Sequence, residues 1–282
     1  MFDQRPLIFY SNGYEHWLWD DTNYPPRQVQ GFYTKDELQL AIQRRTSQLP
    51  LADVDINTST VERHYQHRAI RNITESFDDQ KQRKALLAMA TGTGKTRTVI
   101  ALIDVLMRAN RVKNVLFLAD RTELVKQAVG AFKEHLPNSQ PINLVSEPDE
   151  TGRVYVSTYQ TMVGMIDRVD DQGVRRFGPG HFDLVVIDEA HRSVYGRYKG
   201  IFNYFDSLLV GLTATPRDEI DHNTYDLFDL ETGVPTDAYS LEEAVADGFL
   251  TPPRGISVPL KFIREGINYD DLSADEQESW DE

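Results

Sequence analysis

The 282-residue chain contains no cysteine, which excludes disulfides and every metal site built on thiolates. It has no apolar run near the roughly 20 residues that cross a bilayer. Its first 20 residues mix charges with aromatics and lack the apolar centre of a secretory leader. A soluble, cytoplasmic chain with no membrane partner is the expectation. Positive charge is scarce too: 30 Lys and Arg stand against 44 Asp and Glu, a net charge of −14. Taken as an average, that argues against nucleic-acid binding. The average is distorted by the end of the chain. From Glu265 onward come eight acids (Glu265, Asp270, Asp271, Asp275, Glu276, Glu278, Asp281, Glu282) and no Lys or Arg; taking those eight from −14 leaves −6. The body can still present a basic surface.

The length suits one or two domains of about 150 residues each, enough to bury a core. Residues 7–19, LIFYSNGYEHWLW, read as a β-hairpin: two aromatic-rich runs flank Asn12-Gly13, a strong hairpin-turn pair. Residues 34–45, TKDELQLAIQRR, read as a helix capped by Thr34 with Glu37 three positions on. Residues 46–60 are polar and contain a proline, so 51–60 reads as a linker between a first region, 1–50, and a second that begins at residue 61. From residue 61 short apolar runs recur at 85–90, 114–119, 153–158, 183–187 and 208–213, with helical patterns after the first two. Continuous rather than alternating apolar character implies strands buried on both faces, hence an α/β fold with a parallel sheet between helices over about 61–217. Residues 218–282 read as an acidic linker with one helical patch, SLEEAVADG at 240–248, ended by glycine.

Three strings carry chemistry. Thr91-Gly92-Thr93-Gly94-Lys95-Thr96 follows the 85–90 run and opens a helix, the setting of a phosphate-binding loop. Its backbone N–H groups would hold phosphate oxygens, Lys95 would neutralise the β and γ phosphates, and Thr96 would ligate Mg²⁺. Met89 stands where G-x-x-x-x-G-K has its first glycine. The second string, FDLVVIDEAH, ends a buried run in Asp188-Glu189-Ala190-His191. Acids at the carboxyl end of a strand face the crevice where nucleotides bind: Asp188 suits Mg²⁺ and Glu189 suits the attacking water. Each acid alone is equally explained as a helix cap. The third string, GLTATP from Gly211 to Pro216, offers Thr213 and Thr215 as links between nucleotide state and movement, or is an ordinary loop.

Together the three resemble superfamily 2 helicases and translocases, whose phosphate loop often lacks the leading glycine. The resemblance implies a RecA-like first lobe of a P-loop NTPase using ATP and Mg²⁺, and a coupling role for His191 beside Thr213 and Thr215. RHYQHRAI (63–70) is similar to that superfamily's adenine-reading element, with Gln66 on the base edge and Tyr65 supporting or stacking on the base. FLADRTELVKQ (117–127) and VSTYQTM (156–162) match positions that touch a nucleic-acid backbone, which makes Arg121, Thr158 and Gln160 candidates for phosphate contacts. IFYSNGYEHWLWD, VQGFYTKDEL, DEAHRSVYGRY and YSLEEAVADGFLTPPRGISVPLKF resemble, in the same order, the restriction (R) subunit of type I restriction–modification enzymes.

That resemblance implies a motor lobe acting on double-stranded DNA beside methylation and specificity subunits. It also makes 1–50 the remnant of a nuclease domain that the hairpin closes. The Asp and Glu-x-Lys cluster of such nucleases is not found ahead of the hairpin, and Asp20-Asp21 and TKDE do not supply it. The second motor lobe, with its arginines, is not found either, so little turnover is expected of the chain alone. A nucleotide-binding module without turnover and a general superfamily 2 helicase of DNA or RNA remain the alternatives.

Overall fold

A computed structural model describes residues 5–252 except 167, 170, 172, 174, 191 and 216–218; of 192–196 only the backbone is described. Residues 1–250 form one compact unit and 251–282 belong to a second. His191, Pro216 and the acidic tail from Glu265 lie outside the described residues.

The chain opens with an antiparallel three-stranded sheet: β1 (Ile8–Ser11), β2 (His16–Asp20) and β3 (Tyr24–Val29). The expected hairpin is its first half, and Gly13 takes the turn at φ +92°. The expectation missed β3, because Tyr24-Pro25-Pro26 reads as a strand breaker. Helix α1 (Lys35–Ser47) follows, with the reciprocal Thr34–Glu37 cap in place. Residues 51–60 are not a loose tether. Leu51, Val54 and Ile56 are buried in the main core, and Thr60 is 3% exposed. Their apolar positions are too sparse to show a period, and the partner is distant: Arg71 of α2 (His64–Asp78) donates to the carbonyls of Leu51 and Val54.

The body is a seven-stranded parallel sheet. Its strands are β4 (Lys84–Met89), β5 (Val115–Ala119), β6 (Pro141–Asn143), β7 (Val154–Thr158), β8 (Leu184–Ile187), β9 (Leu208–Thr213) and β10 (Asp237–Tyr239), in the order β10-β4-β9-β8-β5-β7-β6. Successive residues of each strand enter two separate cores. Ala85, Leu87, Phe117 and Val186 join α2, α3 (Lys95–Arg108) and α4 (Thr122–His135) on one face. Leu86, Leu116, Val185 and Ile187 join α5 (Tyr159–Ile166), α6 (Arg192–Tyr204) and α7 (His222–Leu227) on the other. Burial on both faces is why these runs show no alternation. β10 was not expected. The segment from 218, expected to be an acidic linker, returns to the sheet and pairs with β4 through Asp237–Leu87 and Tyr239–Met89, then continues as α8 (Leu241–Ala246). Three residues are too few for a strand pattern to register.

Candidate functional site

The order of strands puts the three motifs side by side. β4 leads into the phosphate loop, β9 into Thr213–Thr215, and β8 into Asp188–Glu189, with β9 between the other two. All three loops therefore open at the carboxyl edge of the sheet, where such folds bind ligands.

The phosphate loop turns on two glycines, Gly92 at φ +86° and Gly94 at φ +89°, a region that side chains with a Cβ avoid. Thr93 is fully buried: its hydroxyl donates to the Ala90 carbonyl at 2.6 Å and locks the turn. Gly94 caps α3, whose first N–H groups have no intrahelical partner. Lys95 opens that helix, and its Nζ donates to the Met89 carbonyl at 3.3 Å. Burial pulls the Lys95 ammonium below its ordinary range, and Glu189 and Asp188 oppose that shift.

The turn at Asp188 is held by β5, α5 and β9. Asp188 N–H donates to Leu118 at 2.9 Å, Tyr159 Oη donates to the Asp188 carbonyl at 2.8 Å, and Ala190 N–H donates to Leu212 at 2.7 Å. Burial raises the carboxyl of Asp188 above its ordinary value, Glu189 adds to this, and Lys95 opposes it. Glu189 sits at φ +54°, a left-handed conformation costly for a residue with a side chain. A half-buried acid pair offset by one lysine, with Thr96 in the first turn of α3, is a hard-oxygen set suited to Mg²⁺. Among the described residues no cluster of three or more His, Asp or Glu forms a self-sufficient metal cage, so a bound ion would take its other ligands from phosphate and water.

Gln66 and Tyr65 both face the loop. Gln66 is 5% exposed; its Nε2 donates to the Thr93 carbonyl at 3.3 Å, and its Oε1 accepts from Arg63 N–H at 3.3 Å. Tyr65 is fully buried, and its hydroxyl donates to the same carbonyl at 2.8 Å. Its ring is stacked on Tyr239 at 3.8 Å and 12°, so that face is already covered. Thr213 is 1% exposed and its Oγ1 accepts from Thr215 N–H at 3.1 Å. His191 lies outside the described residues.

The backbone-contact candidates lie on the same edge, after β5 and β7. Arg121, at the start of α4, and Gln160, in α5, are exposed. Thr158 is nearly buried: its Oγ1 accepts from Thr161 N–H at 3.2 Å and donates to Thr161 Oγ1 at 2.9 Å, so it caps α5. Sequence reasoning missed Tyr159 and Tyr239, because both reach the site from elements whose neighbours only the topology reveals.

Comparison with known proteins identifies the family. The family model described as "Type III restriction enzyme, res subunit" matches residues 59–218, more than half of the chain, and the chain belongs to that family. The Escherichia coli type I restriction enzyme EcoAI endonuclease subunit is 35% identical over 210 residues, 72% of this chain and 25% of that protein. The EcoKI endonuclease subunit of Escherichia coli K12 is 32% identical over 235 residues, 73% of this chain and 19% of that protein. The chain thus spans a quarter or less of these relatives' length. A solved fragment of an HsdR subunit of a type I restriction enzyme from Vibrio vulnificus YJ016 superposes with a TM-score of 0.54 at 26% identity, covering 87% of this chain and 44% of that one.

Proposed function

We propose that this chain is the ATP-binding first motor lobe of a type I restriction endonuclease R subunit, which in the complete enzyme couples ATP hydrolysis to translocation along double-stranded DNA. The observation that carries the reading is the strand order β4-β9-β8, which brings the loop of Lys95, the Thr213–Thr215 loop and the Asp188–Glu189 pair to one sheet edge. In this reading the loop N–H groups from Thr91 to Thr96 and Lys95 hold the phosphates. Thr96 and Asp188 would hold Mg²⁺, which would supply charge neutralisation for the phosphates. Glu189 orients and deprotonates the attacking water. Gln66, supported by Tyr65, serves the adenine side. Thr213, Thr215 and His191 pass the nucleotide state onward, and Arg121, Thr158 and Gln160 line the DNA-backbone track. Methylation and specificity subunits would supply target choice, because phosphate contacts carry no sequence information.

The described residues make one lobe. Arginines from a facing lobe typically contribute about 10³–10⁵ in rate, roughly 4–7 kcal/mol of barrier, so turnover by the 282-residue chain by itself is expected near background. Calorimetric titration with MgATP tests the site. Lys95→Ala should lower affinity at least about tenfold while the melting temperature stays within about 2 °C. Equal affinity of the two forms would remove the site. Phosphate release with and without double-stranded DNA then separates the readings: DNA-stimulated turnover lost in Glu189→Gln makes the chain a motor on its own, and binding without turnover fits a lobe awaiting its partner.

A further inference from the structure

The phosphate loop is gripped from outside by a segment that none of the three motifs contains. The Tyr239 carbonyl, at the end of β10, accepts from Ala90 N–H at 3.0 Å. The Tyr239 ring, 2% exposed, stacks on Tyr65, whose hydroxyl holds the Thr93 carbonyl. Tyr239 Oη in turn donates to Asp247 Oδ2 at 2.8 Å, just past α8. Leu250 closes the circuit: its Cδ2 lies 3.3 Å from where a Cβ on Gly92 would stand. Phe249 packs edge-on against Tyr65 at 5.4 Å and lies 4.8 Å under the Arg63 guanidinium. The base of this arrangement is fixed to α2 by charge, since Asp237, 6% exposed, accepts from Arg68 Nε at 3.0 Å and Asn72 Nδ2 at 2.6 Å.

A trans peptide plane is rigid, and its C=O and N–H point in opposite directions. Anchoring the Thr93 carbonyl on Tyr65 and Gln66 therefore fixes the direction of the Gly94 N–H, at the start of α3. Glycine on both sides of Thr93 makes the loop soft, so that anchor has to come from outside it.

We infer that Tyr239, together with Leu250, is a positioning element for the phosphate loop: by seating Tyr65 against the Thr93 carbonyl and covering Gly92, it holds the loop in its anion-binding shape. This rests on the reading of Lys95 and its loop as a nucleotide site. Neither residue touches the phosphates; both act through Tyr65 and the loop backbone. Such a device ties the exit of the lobe, at Leu250, to the shape of the loop that senses the γ phosphate.

The test is a double-mutant cycle read by calorimetry with MgATP and, separately, with magnesium tripolyphosphate, which lacks the base. Tyr239→Ala should weaken both probes by roughly 5- to 10-fold, and Tyr239→Phe, which keeps the stack, should bind within about twofold of wild type. Tyr65→Phe keeps the ring but loses the hydroxyl and should weaken both probes by a similar factor. Because the two act through one link, the double variant should lose little more than either single one, whereas independent losses would multiply. Should Tyr239→Ala not fold, Tyr65→Phe and Leu250→Ala decide the question, the latter with an expected loss of about threefold. Lys95→Ala runs beside them. If it binds as wild type, the nucleotide reading beneath fails. If it loses binding while Tyr65→Phe and Leu250→Ala bind both probes as wild type, the positioning role alone is overturned.

Discussion

The two ends of the seven-stranded sheet both bury charge, and they do so in opposite states. At the amino end, Asp206 precedes β9 and Asp183 precedes β8. Asp206, with a side chain 5% exposed, accepts from Arg27 Nε at 2.7 Å and Arg27 Nη2 at 2.6 Å, from Arg83, and from the Tyr33 hydroxyl. Burial alone would raise its carboxyl; Arg83 and Arg27 outweigh burial and hold it well below the usual carboxylate range. Asp183 is paired with Arg44 of α1 and also accepts from Lys113 and Asn114 N–H groups at 2.8 and 2.9 Å. At the carboxyl end the Asp188 carboxyl is raised, the Lys95 ammonium is lowered, and Glu189 is held at positive φ. A charge that has found its partners inside the chain fastens the three-stranded sheet and α1 to the body. A charge left short of partners is available to a ligand. Removing an acid should therefore have opposite effects on stability at the two ends.

The largest effect is expected at the amino end. Asp206→Asn leaves the half-buried Arg27 and Arg83 without their counter-ion, a change that costs about 3–5 kcal/mol where such a pair is buried. Urea denaturation should show a loss of that size. A loss under about 1 kcal/mol, the range of exposed pairs, would erase the contrast between the ends.

Acid sharpens the comparison. Burial lowers His181 from its ordinary 6.5 to about 4, Asp183 opposing and Arg176 and Lys113 reinforcing. The unfolded chain then takes up a proton that the folded chain refuses, so stability falls as pH drops from 6.5 towards 4, by on the order of 2–3 kcal/mol. Asp206 has the depressed carboxylate pattern: its contribution is present above its ordinary 3.8 and is lost as pH falls below that towards its folded value. Melting temperatures across pH 7 to 4 should decline, and His181→Phe should flatten that slope without changing the loss below 4. An unchanged slope would place the sensitive group elsewhere.

The contrast also marks what the sequence made legible. The apolar runs at 85–90, 183–187 and 208–213 announce buried strands, and each ends in polar residues whose types match phosphate chemistry. The carboxyl end could thus be read locally. The amino end could not: Arg27 and Asp206 are 179 residues apart, and nothing in either neighbourhood names the other. β3 was hidden by Pro25 and Pro26, and β10 by its three-residue length. Tyr65 belongs to a string that resembles an adenine-reading element. That its face is already taken by Tyr239 depends on β10 lying beside β4, which is a property of the topology.

The smallest expected effect is also the most direct test of strain at the carboxyl end. Glu189 holds φ +54° beside Asp188, whose carboxyl its own charge pushes upward. An L-residue in the left-handed region costs roughly 1–2 kcal/mol, and glycine there costs little, although it adds about 0.5–1 kcal/mol of unfolded-chain entropy. Relief of repulsion against Asp188 acts in the same direction as relief of strain. Glu189→Gly should therefore stabilise the folded chain by about 0.5–1 kcal/mol while removing the carboxylate proposed to activate water, the trade expected of a functional site. Glu189→Ala relieves the charge but not the backbone and should fall between Glu189→Gly and the unaltered chain. Glu189→Gln keeps backbone strain and shape, so any gain it shows isolates the charge. If glycine destabilises and glutamine does not, the left-handed conformation is held comfortably by its surroundings. The carboxyl end would then be short of partners but not strained.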